Sequence, residues 1–572
     1  MAKDPDAALR AFARRFEPNL VERMLAHVLP KTAQRLHRGR MQFEMQASIG
    51  RGIGGYVGAR RDRAATAEWQ PGGGSASSDI LPDLPMLRDR SRDQVRNAPV
   101  ATGALNTEVT HVVGTGLSYT PAIDAARLGI TEDSAREWTA GTKARFKAWA
   151  ESTDCHLQRQ LDFYGLTDLA YRSWMESGDV FVLTPMIERG GETMLALQVI
   201  EADRVCNPRG KFDSDTLQDG VELDPTTGEP VAIHVAKYHP GDFRGQANSW
   251  ERIAMRADNG RRNVLHLFDS LRPGQVRGVP WFGPILEPLK QLQKWSDAEL
   301  NAAVVSSIWA VFVEMDHEAF AEIFDDESAS RLVNDAQRWS GKMDSGKTIN
   351  LLPGEKAEMK TPGRPNPQFD PFFQAMMTQI GMTLGVPKEV LMMAFQSSYT
   401  AARGAFVMAW RRWNTRRDKV AKMLCQPVLE LWLTHDVAEG RIAAPGFFAD
   451  KVVRAAWCSS MWTGDGPGSV DPLKEVSAAE KRVQLGISTL QAESILHDGQ
   501  DWEAKQRQRA KEVQLQRRDG TLPQTTPSGA ATAPESADNG SDDDTEAPPR
   551  RPAAPPAQPM PRAPRPAAPP SR

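Results

Sequence analysis

Residues 271–289 read LRPGQVRGVPWFGPILEPL, and the way that stretch is parsed decides the architecture on either side of it. Pro273, Gly274 and Gly278 are turn residues, and Pro280 stands where a first helical turn tolerates a missing N–H. Ile285, Leu289, Leu292 and Trp295 then recur at the spacing that lays one apolar stripe along one helix face. A turn-rich collar therefore opens onto an amphipathic helix, predicted over 281–310. At 1.5 Å per residue that helix is a rod of about 45 Å.

Downstream lies an insert at 311–367. VFVEM (311–315) is strand-like, FDDESASRLVNDAQRWSG (324–341) helical and KTINLLPG (347–354) strand-like again, before the breaker TPGRPNP. A second helix is predicted over 369–384, stopped by Gly385 and Pro387. A connection at 386–398 leads into the longest helix, 399–436, which Pro427 must kink because it removes a backbone hydrogen bond. The segment 450–518 is mixed. Its last part, 500–518, is polar on nearly all sides and reads as a solvated helix.

Upstream, the ordered body begins near Leu87. Residues 88–113 form a helix interrupted at Pro99, and 131–150 a longer one with Asp133 or Ser134 as its cap. Stretches 180–184, 194–200 and 231–235 read as strands, and Asp224-Pro225-Thr226-Thr227-Gly228 as a hairpin-type turn. Residues 1–86 form an irregular arm, basic at first and then passing through GRGIGGYVG and PGGGSASS. Residues 520–572 are rich in Pro and Ala, with an acidic patch at 541–544. They hold too few large apolar residues to offset the entropy of ordering, so disorder is expected there. The fold class is α+β, mainly helical, with disordered termini.

At 572 residues and a formal charge of −3, the chain can bury a large core and has no global basic excess. Cys155, Cys206, Cys425 and Cys458 lie far apart without a C-x-x-C pair, which points to buried free thiols in a reducing compartment. No signal-peptide pattern opens the chain. The longest uncharged apolar run, 300–313, falls short of the ~20 residues of a membrane span. A protein that works in a cytoplasm is expected.

Two motifs resemble catalytic ones. Residues 341–348 (GKMDSGKT) satisfy G-x-x-x-x-G-K-T, but a phosphate-cradling loop needs a buried strand before it and a helix after it. Here a polar helical segment leads in, a short strand ended by Pro353-Gly354 follows, and no Walker B acid is evident. Gly50–Gly55 satisfies G-x-G-x-x-G without a strand before it or a packed helix after it. His234, His239 and His266 lack metal-ligand spacing, and no G-x-S-x-G elbow occurs. The expectation is a non-enzymatic protein with no cofactor, no metal and no catalytic residue.

Three blocks, RDRSRDQVRNAPVATGALNTEVTHVVGTGL at 88–117, the collar at 271–289 and FQSSYTAARGAFVMAWRRW at 395–413, stand in an order and at separations that resemble the lambda family of phage portal proteins. The resemblance spans about 87–462. It implies a portal fold with a wing, a two-helix stem, an α/β clip inserted between the stem helices, a tunnel loop and a crown. On this chain the wing is 87–280, the first stem helix 281–310, the clip 311–367, the second stem helix 368–385, the tunnel loop 386–398, the long wing helix 399–449 and the remaining wing and crown 450–519.

The same resemblance implies a homo-oligomeric ring, usually of twelve subunits, at the capsid vertex of the virion, assembled in the host cytoplasm and without a membrane partner. Duplex DNA would be packaged and ejected through it. Terminase, head–tail connector proteins and major capsid or scaffold proteins would dock on it. The clip residues Glu314, Asp325, Asp326, Arg331, Lys342 and Lys347 become candidates for terminase or connector docking.

The loop reading has physical support, because a conduit that lets DNA slide avoids many simultaneous phosphate contacts. Candidate channel residues are Lys388, Glu389, Met392, Met393, Gln396, Ser397 and Ser398, of which only the first two are charged. Read without the family, the segment is an ordinary apolar helix-to-helix connection. The helix behind it carries Arg403, Arg411, Arg412, Arg416, Arg417, Lys419 and Lys422 beside Trp410 and Trp413. That pattern fits a nucleic-acid stripe, or a structural helix whose tryptophans enter the core and whose arginines pair with acids on neighbouring subunits. A packaging ATPase built on residues 341–348, and a sequence-nonspecific DNA-binding protein, are the rival functions.

Overall fold

The computed structural model describes residues 37–38, 68–69, 71–244, 249–307, 311–315, 355–359, 367–394, 399–468 and 472–521. The chain divides into two compact units, residues 1–503 and 504–572.

In the first unit, helices α1 (Leu84–Asn97) and α2 (Pro99–Val112) meet at Ala98, whose extended backbone precedes Pro99 as the proline ring demands. The predicted break at Pro99 is thus where the helix divides. Strand β1 (Ser118–Pro121) and helix α3 (Glu132–Ala150) follow. The cap of α3 is Thr131, not Asp133 or Ser134. Its hydroxyl accepts from Ser134 N–H, which places Glu132 and Asp133 in the first turn, where negative charge suits the helix dipole. Helix α4 (Phe163–Ser177) ends at Gly178 and runs straight into β2 (Asp179–Leu183).

The strands form several small antiparallel sheets. β3 (Met186–Arg189) pairs with β4 (Glu192–Leu195), and β5 (Gln198–Ile200) lies beside β2. The expected single strand over 194–200 is therefore two, because the chain leaves one sheet and joins another at Ala196–Leu197. A four-stranded sheet runs in sequence order through β6 (Leu217–Gln218), β7 (Val221–Leu223), β8 (Pro230–Ala236) and β9 (Trp250–Ala254). The turn between β7 and β8 is held as expected, with the Asp224 carboxylate accepting from Thr226 and Thr227 N–H. β10 (Val264–Phe268) returns to the other edge of β2.

Helix α5 (Leu286–Ser307) starts five residues later than predicted, since Gly283–Ile285 is a 3₁₀ turn built on Pro284. Its 22 residues make a rod of about 33 Å. β11 (Val311–Met315) pairs with β12 (Glu355–Met359). Among the described residues of the insert, the partner of β11 is therefore 355–359. The expected strand at 347–354 and helix at 324–341 lie outside the described residues, as do Gly50–Gly55 and the 341–348 motif. Helix α6 (Phe369–Leu384) has its predicted limits, closed by Gly385 in the left-handed region at φ 67°.

Helix α7 (Tyr399–Val420) passes through a π-helical turn at Ala421–Cys425 into α8 (Gln426–Ala438). The expected Pro427 disruption takes this form: the wider turn lets the proline sit in the first turn of α8, where its missing N–H leaves no gap. Helix α9 (Lys451–Trp457) leads to β13 (Ser460–Thr463), which pairs with β1, Ser118 opposite Thr463. Helices α10 (Pro472–Gln484) and α11 (Leu490–Asp498) complete this unit. Helix α12 (Trp502–Arg518) makes up most of what is described of the second.

One extended core joins Phe146, Phe163, Tyr171, Leu289, Ile380 and Trp413, so the segments before the collar, the helices after it and α7 share a single interior. A smaller core under the four-stranded sheet includes Val221, Ile233 and Phe181. Among the described residues no helix is long and apolar enough to cross a membrane. All four cysteines are free. Burial pushes the Cys155, Cys425 and Cys458 thiols up to about 12, so they are unreactive packing groups. Cys206 is half-buried and accepts from Trp250 Nε1 at 3.3 Å.

Candidate functional site

The collar is clamped to the wing by a buried ion cluster. Gly274 takes the left-handed conformation that the Pro273-Gly274 turn needs. The Gln275 amide oxygen accepts from Leu271 N–H at 2.8 Å and fixes the bend. Arg277, fully buried, then reaches into the junction between α4 and β2. Its Nε lies 2.6 Å from Asp179 Oδ2 and its Nη1 2.7 Å from Asp219 Oδ2, while Nη1 and Nη2 also donate to the Val205 and Ala202 carbonyls. Arg88 Nη2 meets the other Asp179 oxygen at 3.0 Å.

His266 Nε2 lies 3.1 Å from Asp179 Oδ2, its ring stacked between Phe181 and Phe268. Burial opposes ionisation of Asp179, but Arg277, Arg88 and the His266 hydrogen bond outweigh it and hold the carboxyl well below the usual carboxylate range. Burial lowers the His266 pKa, so the imidazole stays neutral beside two arginines. Next to the cluster, Gly278 crosses Gly178 back to back. A Cβ on Gly278 would sit 2.0 Å from the Gly178 carbonyl oxygen. These two glycines and Arg277 root α5.

The loop between α6 and α7 is anchored at its start. Arg412 lies against Gly385, where a Cβ would come within 1.9 Å of its Nη1, and over the Trp281 ring at 5.7 Å. A four-residue helix (Lys388–Leu391) follows Pro387. Lys388 is half-buried, with Nζ 3.5 Å from Gln374 Oε1, and Glu389 and Met392 are half-buried too. Met393 is 76% exposed and holds φ 50°. Gln396, Ser397 and Ser398 lie outside the described residues. So do the clip candidates Asp325, Asp326, Arg331, Lys342 and Lys347, while Glu314 stands on β11 opposite Lys356.

The basic helix α7 is largely a structural seam. Trp413 is fully buried, stacked on His111 at 3.9 Å, and donates to the buried Glu108 carboxylate at 3.0 Å. Glu108 also accepts from Tyr171 OH at 3.0 Å and pairs with Arg416 at 3.1 Å. Arg417 donates to the Val112, His111 and Asp465 carbonyls. Lys419 pairs with Asp269 at 2.5 Å and Arg403 with Glu475 at 3.3 Å. The tryptophan entering the core agrees with the structural reading of this helix. Within the chain, Arg403, Arg416 and Lys419 meet Glu475, Glu108 and Asp269. Arg411 and Lys422 remain exposed.

Sequence reasoning missed the buried acids Asp179 and Glu108, since a lone carboxylate in an apolar run carries no spacing signal. It also missed that Glu201, Asp203 and His239 converge, their ligand-type atoms within 4.8 Å of one another. Arg92 lies against Asp203 and 3.5 Å from Glu201, so a guanidinium already balances those carboxylates.

Comparison with known proteins bears directly on this arrangement. The model of the family described as "Phage portal protein, lambda family" matches residues 62–417, which include the collar, α5, α6 and most of α7. The chain belongs to that family. Portal protein B of Escherichia phage lambda is 25% identical over 488 residues, covering 82% of this chain and 90% of the relative. The portal protein of Escherichia phage N15 is 26% identical over 522 residues, covering 86% and 94%. A chain from the neck of an empty GTA particle is similar at a TM-score of 0.39 and 13% identity, covering 74% of this chain and 96% of that one. The anchored collar and the Glu108–Trp413 seam are therefore features of a phage portal protein.

Proposed function

We propose that copies of this chain close into a ring at a capsid vertex, a conduit through which DNA is packaged and ejected, acting structurally rather than as an enzyme. In this reading α5 and α6 are the stem, β11 and β12 belong to the clip, residues 386–398 form the tunnel loop, and α7 with the sheets makes the wing. Terminase, head–tail connector and capsid or scaffold proteins are its docking partners.

The observation that carries the reading is the surface of the stem. α5 and α6 pack on each other through Trp295 against Phe369 and Phe372, and β11 pairs with β12 in the segment between them in sequence. Yet Leu300 on α5 is 65% exposed, Met382 on α6 79% and Met408 on α7 73%. Large exposed apolar side chains on the two stem helices and on α7 suit heterologous contacts repeated around a closed ring.

Negative-stain microscopy of the purified full chain at high concentration tests this. Closed rings with a central hole are expected, and Met382→Asp with Leu300→Asp should leave folded monomers. Monomers alone under every salt and concentration condition would overturn the ring.

A further inference from the structure

Helix α12 carries Lys505, Arg507, Arg509, Lys511, Arg517 and Arg518 against only Glu503 and Glu512, a local charge of +4 in a chain whose total is −3. It buries none of its residues. At 3.6 residues per turn, Arg507, Lys511, Gln514 and Arg518 fall at i, i+4, i+7 and i+11, one stripe about 16 Å long. All four are exposed. Arg518 pairs with Asp519 at 2.9 Å, an exposed contact that solvent and salt weaken. On α7, Arg412, Arg416 and Arg417 are buried or half-buried against Trp281, Glu108 and backbone carbonyls, whereas Arg507, Lys511 and Arg518 lie at the surface.

We propose that α12 is a docking surface for the sugar-phosphate backbone of duplex nucleic acid, read without regard to sequence. The assignment does not depend on ring closure. A helix that docks on another protein presents an apolar stripe of anchors. Here Trp502 and Val513 share one face but stand three turns apart with only polar residues and alanine between them, and Leu515 projects to the opposite side, so no continuous row of anchors forms. Arginine, lysine and glutamine are the side chains that donate to phosphate oxygens. Duplex DNA carries one charge per ~1.7 Å of axis, so a 16 Å stripe always lies alongside several phosphates whatever its register. Contacts of this kind position a duplex without selecting a base sequence.

The test is fluorescence anisotropy of a labelled 30-base-pair duplex with the full chain, over a salt series. Three phosphate contacts predict that Arg507→Gln/Lys511→Gln/Arg518→Gln lowers the slope of log affinity against log salt by about 3. Affinity at ~0.1 M salt should fall by two to three orders of magnitude, equally for unrelated duplex sequences. Circular dichroism should be unchanged, because none of the three side chains is buried. Arg411→Gln/Lys422→Gln should bind as the parent does. An unchanged slope in the triple variant overturns the proposal, as does a loss that follows Arg411 and Lys422 instead. Duplex binding that emerges only after removal of residues 522–572 also overturns it, since the acidic segment 541–544 would then be the occupant. Imaging of the same variants keeps the outcomes separate: loss of DNA affinity with intact rings supports the proposal, and an absence of rings leaves the anisotropy result standing.

Discussion

Replacing Asp179 by asparagine removes one negative charge and almost no volume from the centre of the collar clamp. Arg277 and Arg88 both stay buried, and their shared counter-ion becomes an amide that keeps one acceptor oxygen, turns the other into a donor and neutralises nothing. Breaking a buried pair by removing one partner costs about 3–5 kcal/mol, and that is the loss expected near neutral pH. Acid gives a second, independent reading. The folded-state pKa of Asp179 is depressed, so its contribution is complete above the unfolded value near 3.9 and fades as pH falls below it. In that window one proton separates the folded and unfolded states, a slope of about 1.4 kcal/mol per pH unit. The gap between the parent and Asp179→Asn should therefore narrow by about 2 kcal/mol between pH ~4 and ~2.5. Urea unfolding of the dilute chain, followed by tryptophan fluorescence at several pH values, measures both quantities. A cost under about 1 kcal/mol at neutral pH, or a gap that does not narrow in acid, would refute the claim that this carboxylate anchors the collar.

Gly278→Ala should destabilise the first unit by about 1–3 kcal/mol in the same assay, because its Cβ would meet the Gly178 carbonyl oxygen at 2.0 Å and the backbones must part. ATP turnover should be absent in a phosphate-release assay and identical in Lys347→Ala; turnover abolished by that substitution would revive the ATPase reading. Deleting residues 520–572 should leave ring formation intact, since the segment holds almost no large apolar residues to contribute to an interface; loss of rings on truncation would count against it.

What could be read from sequence followed local chemistry. The limits of α6 were legible because Gly385 and Pro387 end a helix in one way only, and the break between α1 and α2 because Pro99 restricts Ala98. The start of α5 was misjudged since Pro280 and Pro284 both tolerate a first helical turn, and only packing decides that the 3₁₀ turn comes between them. The segment 194–200 has one hydrophobicity pattern but serves two sheets, a change of partner that no alternation records. β12 has only a short alternation, Lys356-Ala357-Glu358-Met359, and no β-branched or aromatic residue to mark it, so its pairing with β11 was not legible. The function came from the order of three blocks, while the carboxylates that hold those blocks together gave no signal.

The orientation of an arginine is the least legible quantity here, and it decides what α7 does. Seven cations beside two tryptophans are equally consistent with a solvent-facing stripe and with a seam, because helical spacing states which residues share a face and not what the face meets. The buried Glu108 and the carbonyls at the end of α2 settle it for Arg416 and Arg417. Their commitment has a consequence for assembly. α5 is fixed at its root by Arg277, the start of the loop by Arg412 on Gly385, and α7 by Trp413 on Glu108. In a ring of the kind proposed, Leu300, Met382 and Met408 would then meet the neighbouring copy from helices that are already locked in place. Little ordering entropy would oppose closure, which is how a modest apolar surface can hold a large assembly.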